Sequence, residues 1–392
     1  YWALLMLCLG VITMVLGAIL AVFSNNLKRT LACSSMSQIG FITIGIAMAI
    51  FLGEHNALAV RGTILHMVNH SLIKLLLFMI AGVIYTNTHQ LDLNKVQGFG
   101  RKKWGLMILF LIGALGISGI PLFNGYISKT LLHESIVEYI ELLHGTSYMV
   151  FFEGIEMIFL FAGGLTLAYM MKLFVCLFVE KNQDEALQAK YDGKKSIMSK
   201  ESWFYLIVSA IPLLLIGLFA NVTADQIADF TQSFMHGHSP EHVVEYFSFE
   251  NLKGSIISIL IGVSVYLVVI RGWLTKYENK SRVYLSKWPN WLDLEFLFYR
   301  PLLKYVLPFI FSFISRFIAS LTDWSVGLLN LTILRRNKVL LSDQEDFKPG
   351  ILIPQYKPHP RWAEVENSLS YGLMLFGLGV CVCMVYMLSI YF

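Results

Sequence analysis

The sequence predicts an all-α polytopic membrane protein, and three observations predict it. Of 392 residues, 56% are hydrophobic and only 14% are charged; a soluble domain carries about 25% charged residues. The apolar residues are collected into stretches of about twenty or more, the length a helix needs to cross a bilayer. Lys and Arg gather in alternate connecting segments, the asymmetry that orients membrane helices. The net charge of +4 decides little, because the placement of charge matters more than its sum. Nucleic acid is not an expected partner; the lipid bilayer is.

The first span is read at residues 1–23, which hold no charge. The chain opens "YWALLMLCLG", directly inside this apolar run and without an initiator Met, a charged n-region or a cleavage site. That is expected of a piece of a longer chain. Further spans are read at 31–52, 57–85, 104–133, 148–179, 203–220, 252–270 and 369–392. The fourth is interrupted by "GISGIPLFNG" at 116–125. Pro removes a backbone donor and Gly weakens a helix, so the helix should unwind there. Broken helices at membrane depth line cavities or ion sites.

Charge supplies the orientation. Lys28 and Arg29 follow the first span; Lys95, Arg101, Lys102 and Lys103 follow the third; Arg271, Lys276, Lys280, Arg282, Lys287 and Arg300 follow the seventh. The alternate segments are acidic: Glu54, then Glu134, Glu138 and Glu141, then Asp225, Asp229, Glu241, Glu245 and Glu250. The basic segments are therefore expected inside and Tyr1 outside. Residues 301–335 are long enough to span but carry Lys304, Arg316 and Asp323. They are read as an amphipathic helix along the surface, with a crossing as the alternative. Residues 336–368 hold Pro349, Pro354, Pro358 and Pro360 and read as an extended connector.

The stretch "HMVNHSLIKLLLFMIAG" at 66–82 raises the functional question. Titratable groups are expensive in hydrocarbon and mark ion or proton paths. His66, His70 and Lys74 recur every fourth residue. At about 100° per residue they form one stripe along the helix, suited to relaying protons. Bland interhelical hydrogen bonding is the alternative. "HMVNH" lacks the Glu of a metal-binding H-E-x-x-H, so no metal is expected. Lys129 stands two turns past Pro121, with His133 and Glu134 one turn on; it reads as a second station or as an anchor reaching the headgroups. Glu153 reads as a guard of the outer mouth or a helix-start residue, and Lys172 as an interfacial anchor. Five cysteines (Cys8, Cys33, Cys176, Cys381, Cys383) show no CxxC; four read as packing residues, and the CxC of Cys381 and Cys383 in an apolar helix reads as lipid-facing or packed. The chain carries no flavin, nucleotide, nickel or iron–sulfur motif.

"LKRTLACSSMSQIGFITIGIA" (27–47), "HMVNHSLIKLLLFMIAG" (66–82) and "GISGIPLFNGYISKTLLHE" (116–134), in this order, resemble the antiporter-like subunits of respiratory complex I. The same family includes subunits of energy-converting membrane hydrogenases, formate hydrogenlyases and Mrp-type antiporters. The resemblance covers roughly residues 1–220. It implies a core of two inverted five-helix repeats, with this chain starting at the ninth helix and holding the second repeat. It further implies that Lys74 is the central-axis lysine of the second half-channel and that His66 and His70 are its linking histidines. Lys129 would be the protonatable residue of the broken twelfth helix, which is Lys in some members and Glu in others. The first half-channel, with its own Glu–Lys pair, has no counterpart in this sequence.

The expected organisation is a five-helix proton-channel repeat at 1–180 and additional transmembrane helices with polar loops at 181–300. The surface helix and connector follow at 301–368, and a membrane anchor at 369–392. The expected function is a proton-translocating, non-redox subunit of a complex I-like or hydrogenase-type pump. His66, His70, Lys74 and Lys129 would carry protons, with His133, Glu134 and Glu153 as accessory groups. Flavin, iron–sulfur or NiFe centres would belong only to partner subunits of a peripheral redox arm, attached through other membrane subunits. A cation/proton antiporter subunit and a non-pumping structural subunit are the alternatives. An energy-coupling membrane, bacterial or archaeal, is the expected location.

Overall fold

A computed structural model describes residues 1–194, 196–238, 245–278, 281–289, 292–293 and 295–332. They fall into two units, one at Tyr1–Leu297 and one beginning at Phe298. Among the described residues, seven helices are long and apolar enough to cross a membrane.

The first unit starts with α1 (Trp2–Phe23), α2 (Leu27–Leu52) and α3 (Ala57–Thr88). All three are uncharged or nearly so over the bilayer length, so an α-helix is the conformation that satisfies their backbone without water. Asn26 ends the α1–α2 turn by accepting the Arg29 backbone N–H at 3.0 Å, an N-cap. α3 stops at His89, whose backbone is left-handed with φ 52°. The short α4 (Leu93–Val96) precedes α5 (Trp104–Ser118) and α6 (Asn124–Leu142), the two halves of the interrupted span. α7 (Met149–Phe174) ends in a wide turn at Val175–Val179. Then come α8 (Glu185–Gly193), α9 (Lys200–Leu218), α10 (Ala220–Thr231) and α11 (Phe249–Val265). Among the described residues, the first seven spans and the break stand where the sequence places them.

Two elements add to that reading. A short ribbon, β1 (Thr275–Glu278) and β2 (Ser281–Tyr284), pairs antiparallel within the otherwise helical fold. The second is α10, which follows the sixth span and buries Ala220, Ala224 and Ala228 on one face.

The basic segments meet at one end of the bundle. Asn26 pairs with Asp92, and the Asn182 amide donates to the carbonyls of Asn94, Lys95 and Gln97. Glu180 accepts from Gln97 and from the Tyr284 hydroxyl, each at 2.8 Å, and pairs with Arg271. The acidic segments meet at the other end, where buried Arg61 pairs with Asp225 and Asp229 of α10. The charge alternation of the sequence is thus an alternation of ends in the fold.

The second unit contains α12 (Leu307–Thr332). Arg316 satisfies its guanidinium within its own helix, on the Ser312 carbonyl and hydroxyl. Leu297–Ser325 has the length and hydropathy to cross a membrane, so its composition suits a crossing as well as the surface placement. The connector at 336–368 and the span at 369–392, with Cys381 and Cys383, lie outside the described residues.

Candidate functional site

The break between α5 and α6 is built by its backbone. Gly119 takes φ 74°, a left-handed conformation that favours glycine, and its N–H closes on the Gly116 carbonyl. Leu122 is also left-handed, with φ 76°. The two half-helices then pack so closely that a Cβ on Gly125 would lie 2.0 Å from the Gly116 carbonyl oxygen. The turn leaves the Ile117 carbonyl without its helical donor. Lys129 supplies one: its Nζ donates to Ile117 O at 2.9 Å and lies 4.9 Å from the Phe41 ring centroid. A cation at the C-terminal end of a helix sits in a favourable dipole field. Lys129 is buried at 8% exposure, so the structure places it in the bundle and not at the headgroups.

α3 presents its stripe to α2 and α6. His66 bridges them, with Nδ1 3.0 Å from Ser128 Oγ and Nε2 3.2 Å from Gln38 Oε1. The Gln38 amide nitrogen points to Thr166 at 3.5 Å, so its oxygen is the atom facing His66. His66 therefore donates from Nε2, and Nδ1 faces the Ser128 hydroxyl, which also lies 3.3 Å from the Gly125 carbonyl. Asn69 and Asn124 clasp each other across the break. Asn69 Nδ2 donates to the Asn124 carbonyl at 2.8 Å, and Asn124 Nδ2 donates to Asn69 Oδ1 at 3.0 Å. One turn on, His70 has a buried Nε2 that makes no hydrogen bond. Lys74 is 7% exposed and donates to the Leu31 carbonyl of α2 at 2.9 Å. The three members of the stripe do not hydrogen bond to one another; His66 and Lys74 are each held by neighbouring helices.

The predicted accessory groups separate. His133 lies 3.0 Å from Glu156 and 3.5 Å from Glu134 through its two ring nitrogens. Glu153 is exposed on α7 and does not join them; Glu156, almost one turn further, faces inward in its place. A cavity of about 40 Å³ runs from Lys129 to His133 and is lined also by Thr130, Asn251 and Ser258.

Lys172 is not an interfacial anchor. It is 1% exposed, and its Nζ donates to the carbonyls of Ala21, Val22 and Ser24 at 2.9, 2.7 and 2.7 Å. It caps the C-terminal end of α1, where helical carbonyls lack partners. Sequence reasoning also missed Gln38, Ser128, Thr166 and Tyr169, whose hydroxyl is 2.8 Å from Ser34. The sequence signal was available for some of these: Thr166, Tyr169 and Lys172 are spaced three apart, hence neighbours on one face of α7. Among the described residues, no group of His, Cys, Asp and Glu side chains is arranged to hold a metal ion.

Comparisons with known proteins bear on this site. Residues 1–152 match the family described as NADH:quinone oxidoreductase/Mrp antiporter, transmembrane. The chain is 28% identical over 240 residues to NAD(P)H-quinone oxidoreductase chain 4 2 of Thermosynechococcus vestitus, covering 61% of this chain and 42% of that one. It is 30% identical over 222 residues to NAD(P)H-quinone oxidoreductase chain 4 1 of a Picosynechococcus, covering 56% and 38%. It therefore spans about two-fifths of the length of these relatives. Among solved structures, the Mrp complex from Dietzia matches the fold with a TM-score of 0.58 at 19% identity, over 90% of this chain and 36% of that one. The segment that holds His66, His70, Lys74, the broken helix and Lys129 is thus the part of the chain that matches the transmembrane family of NADH:quinone oxidoreductases and Mrp antiporters.

Proposed function

We propose that this chain translocates protons along Lys74, His70, His66 and Lys129, as a membrane subunit of a multisubunit redox-driven pump. One observation carries the reading. Two buried lysines flank a histidine–asparagine–serine track, and each has a single carbonyl acceptor. An ammonium has three donors. With one acceptor, each lysine keeps its hydrogen bond whether neutral or charged, as a proton carrier requires.

His66 joins the two stations. Its Nδ1 faces Ser128, the residue beside Lys129, and can take a proton while Nε2 gives one up. Charging Lys74 disfavours a charge on its neighbours and pushes the proton onward. Redox energy and its cofactors would reside in partner subunits of a peripheral arm. The relatives' names, chain 4 of NAD(P)H-quinone oxidoreductases, support such partners and an energy-coupling membrane.

The test is Lys74→Met in membranes holding the assembled complex, measuring protons moved per electron. The ratio is expected to fall; an unchanged ratio removes Lys74 from the pathway. Transport that depends on sodium and proceeds without any electron donor would replace the redox-driven reading with cation/proton antiport.

A further inference from the structure

We propose that the outlet of Lys129 is the cavity between α6, α7 and α11, with α11 as its side wall and the His133–Glu156 pair at its rim. The inference rests on the proton-relay reading for Lys129 but concerns residues beyond the relay. α11 lies outside residues 1–152, the segment matched to the family.

Four observations converge. α11 packs tightly on α7: a Cβ on Gly164 would lie 2.6 Å from the Ile261 side chain, and one on Gly262 would lie 2.7 Å from the Gly164 carbonyl. Yet α11 turns a polar face to the cavity, with Asn251, Ser255 and Ser258 at intervals of four and three residues. In a helix with lipid on its other side, polar groups are expected to face protein or water. Second, Ser255 donates its hydroxyl to the Gly119 carbonyl at 3.2 Å, so α11 holds the break from the side opposite the asparagine clasp. Third, Asn251 Oδ1 is buried, makes no hydrogen bond and belongs to the cavity lining. A buried amide oxygen left over in this way suits an aqueous or cationic donor. Fourth, the cavity connects the buried ammonium of Lys129 to His133, whose ring spans Glu134 and Glu156. These carboxylates can accept a proton released by Lys129 and return it to solvent with no net change.

Thiol accessibility tests the outlet. Ser258→Cys on α11 and Thr130→Cys on α6 each put a thiol on the lining without touching the relay or the Gly119 contact. The assembled complex is treated with a membrane-impermeant cationic methanethiosulfonate, from the outer face or from the inner face. The parent chain serves as background for its own thiols. The reagent is expected to add to both variants from the outer face only, read as a mass shift. Proton transport is expected to fall at least tenfold after modification. No outer-face modification of either variant overturns the proposal, and so does modification that leaves transport intact. The mass shift is independent of transport, so a failed relay reading (Lys74→Met silent) stays distinguishable from a failed outlet.

Discussion

Two regions of this bundle bury the same side chain and hold it in opposite ways. At the α1 end, Lys172 donates to three carbonyls within 2.7–2.9 Å. Across the α2–α3–α6 centre, Lys74 and Lys129 each donate to one. All three are buried to a similar degree, so burial does not separate them. Acceptor count does. Three acceptors need three N–H hydrogens, which only the ammonium has. Each charge-assisted bond contributes about 1.5–3 kcal/mol, and together they fix both the proton and the end of α1. One acceptor does neither. The difference teaches that the carbonyls around a buried lysine, and not its burial, distinguish a fixed cation from one that the proposed relay could use.

The comparison breaks most readily at Lys172. Lys172→Met leaves the Ala21 and Val22 carbonyls short of a donor and the Ser24 carbonyl with only the Thr30 hydroxyl at 3.4 Å, at about 1–3 kcal/mol for each unsatisfied group. A loss of at least ~3 kcal/mol is expected, seen as a lower thermal midpoint of the complex in detergent. Transport per folded complex should change far less. Lys74→Met should show the reverse pattern: a near-normal midpoint with transport lost. If Lys172→Met leaves the midpoint in place, acceptor count is the wrong criterion.

A second pair of variants sharpens the distinction by keeping the charge. Arginine is always protonated. At Lys74 it preserves the cation but removes the ability to release a proton, so Lys74→Arg should cut transport at least tenfold, a barrier of about 1.4 kcal/mol. At Lys172 a permanent charge is what the site already uses, and Lys172→Arg should retain more transport than Lys74→Arg. Equal loss in proton-flux assays on reconstituted vesicles would show that the two sites do not differ in their need to release a proton.

The two regions were unequally legible in the sequence. The stripe of His66, His70 and Lys74 lies within one helix, where a four-residue spacing is visible directly, and the break announced itself through Gly116, Gly119, Pro121 and Gly125. Lys172 was misread because its partners lie 148–151 residues away, and no local period reports a contact between α1 and α7. The same holds for Gln38 with Thr166 and for Arg61 with α10, separated by 128 and 164–168 residues. Glu153 and Glu156 differ only in which side of α7 they take, and a helix start without a neighbour cannot tell them apart. The β1–β2 ribbon is two four-residue strands, too short for alternation to stand out beside a charged loop.

The smallest expected effect tests how the centre is held together. Asn69 and Asn124 exchange two hydrogen bonds, and Asn69 also reaches Ser128 Oγ at 3.2 Å. Asn69→Ala removes the α3 half of the clasp and leaves Asn124 Nδ2 buried without an acceptor. One neutral buried group costs about 1–3 kcal/mol, toward the lower end where the site can relax. Ser255 still ties the Gly119 carbonyl from α11, so the break should persist and the thermal midpoint should fall by less than for Lys172→Met. Transport should fall several-fold, because Ser128 loses the donor that orients it toward His66. A thermal midpoint lowered as far as in Lys172→Met would mean that the asparagine clasp, and not the lysine cap, is the main polar support of the bundle.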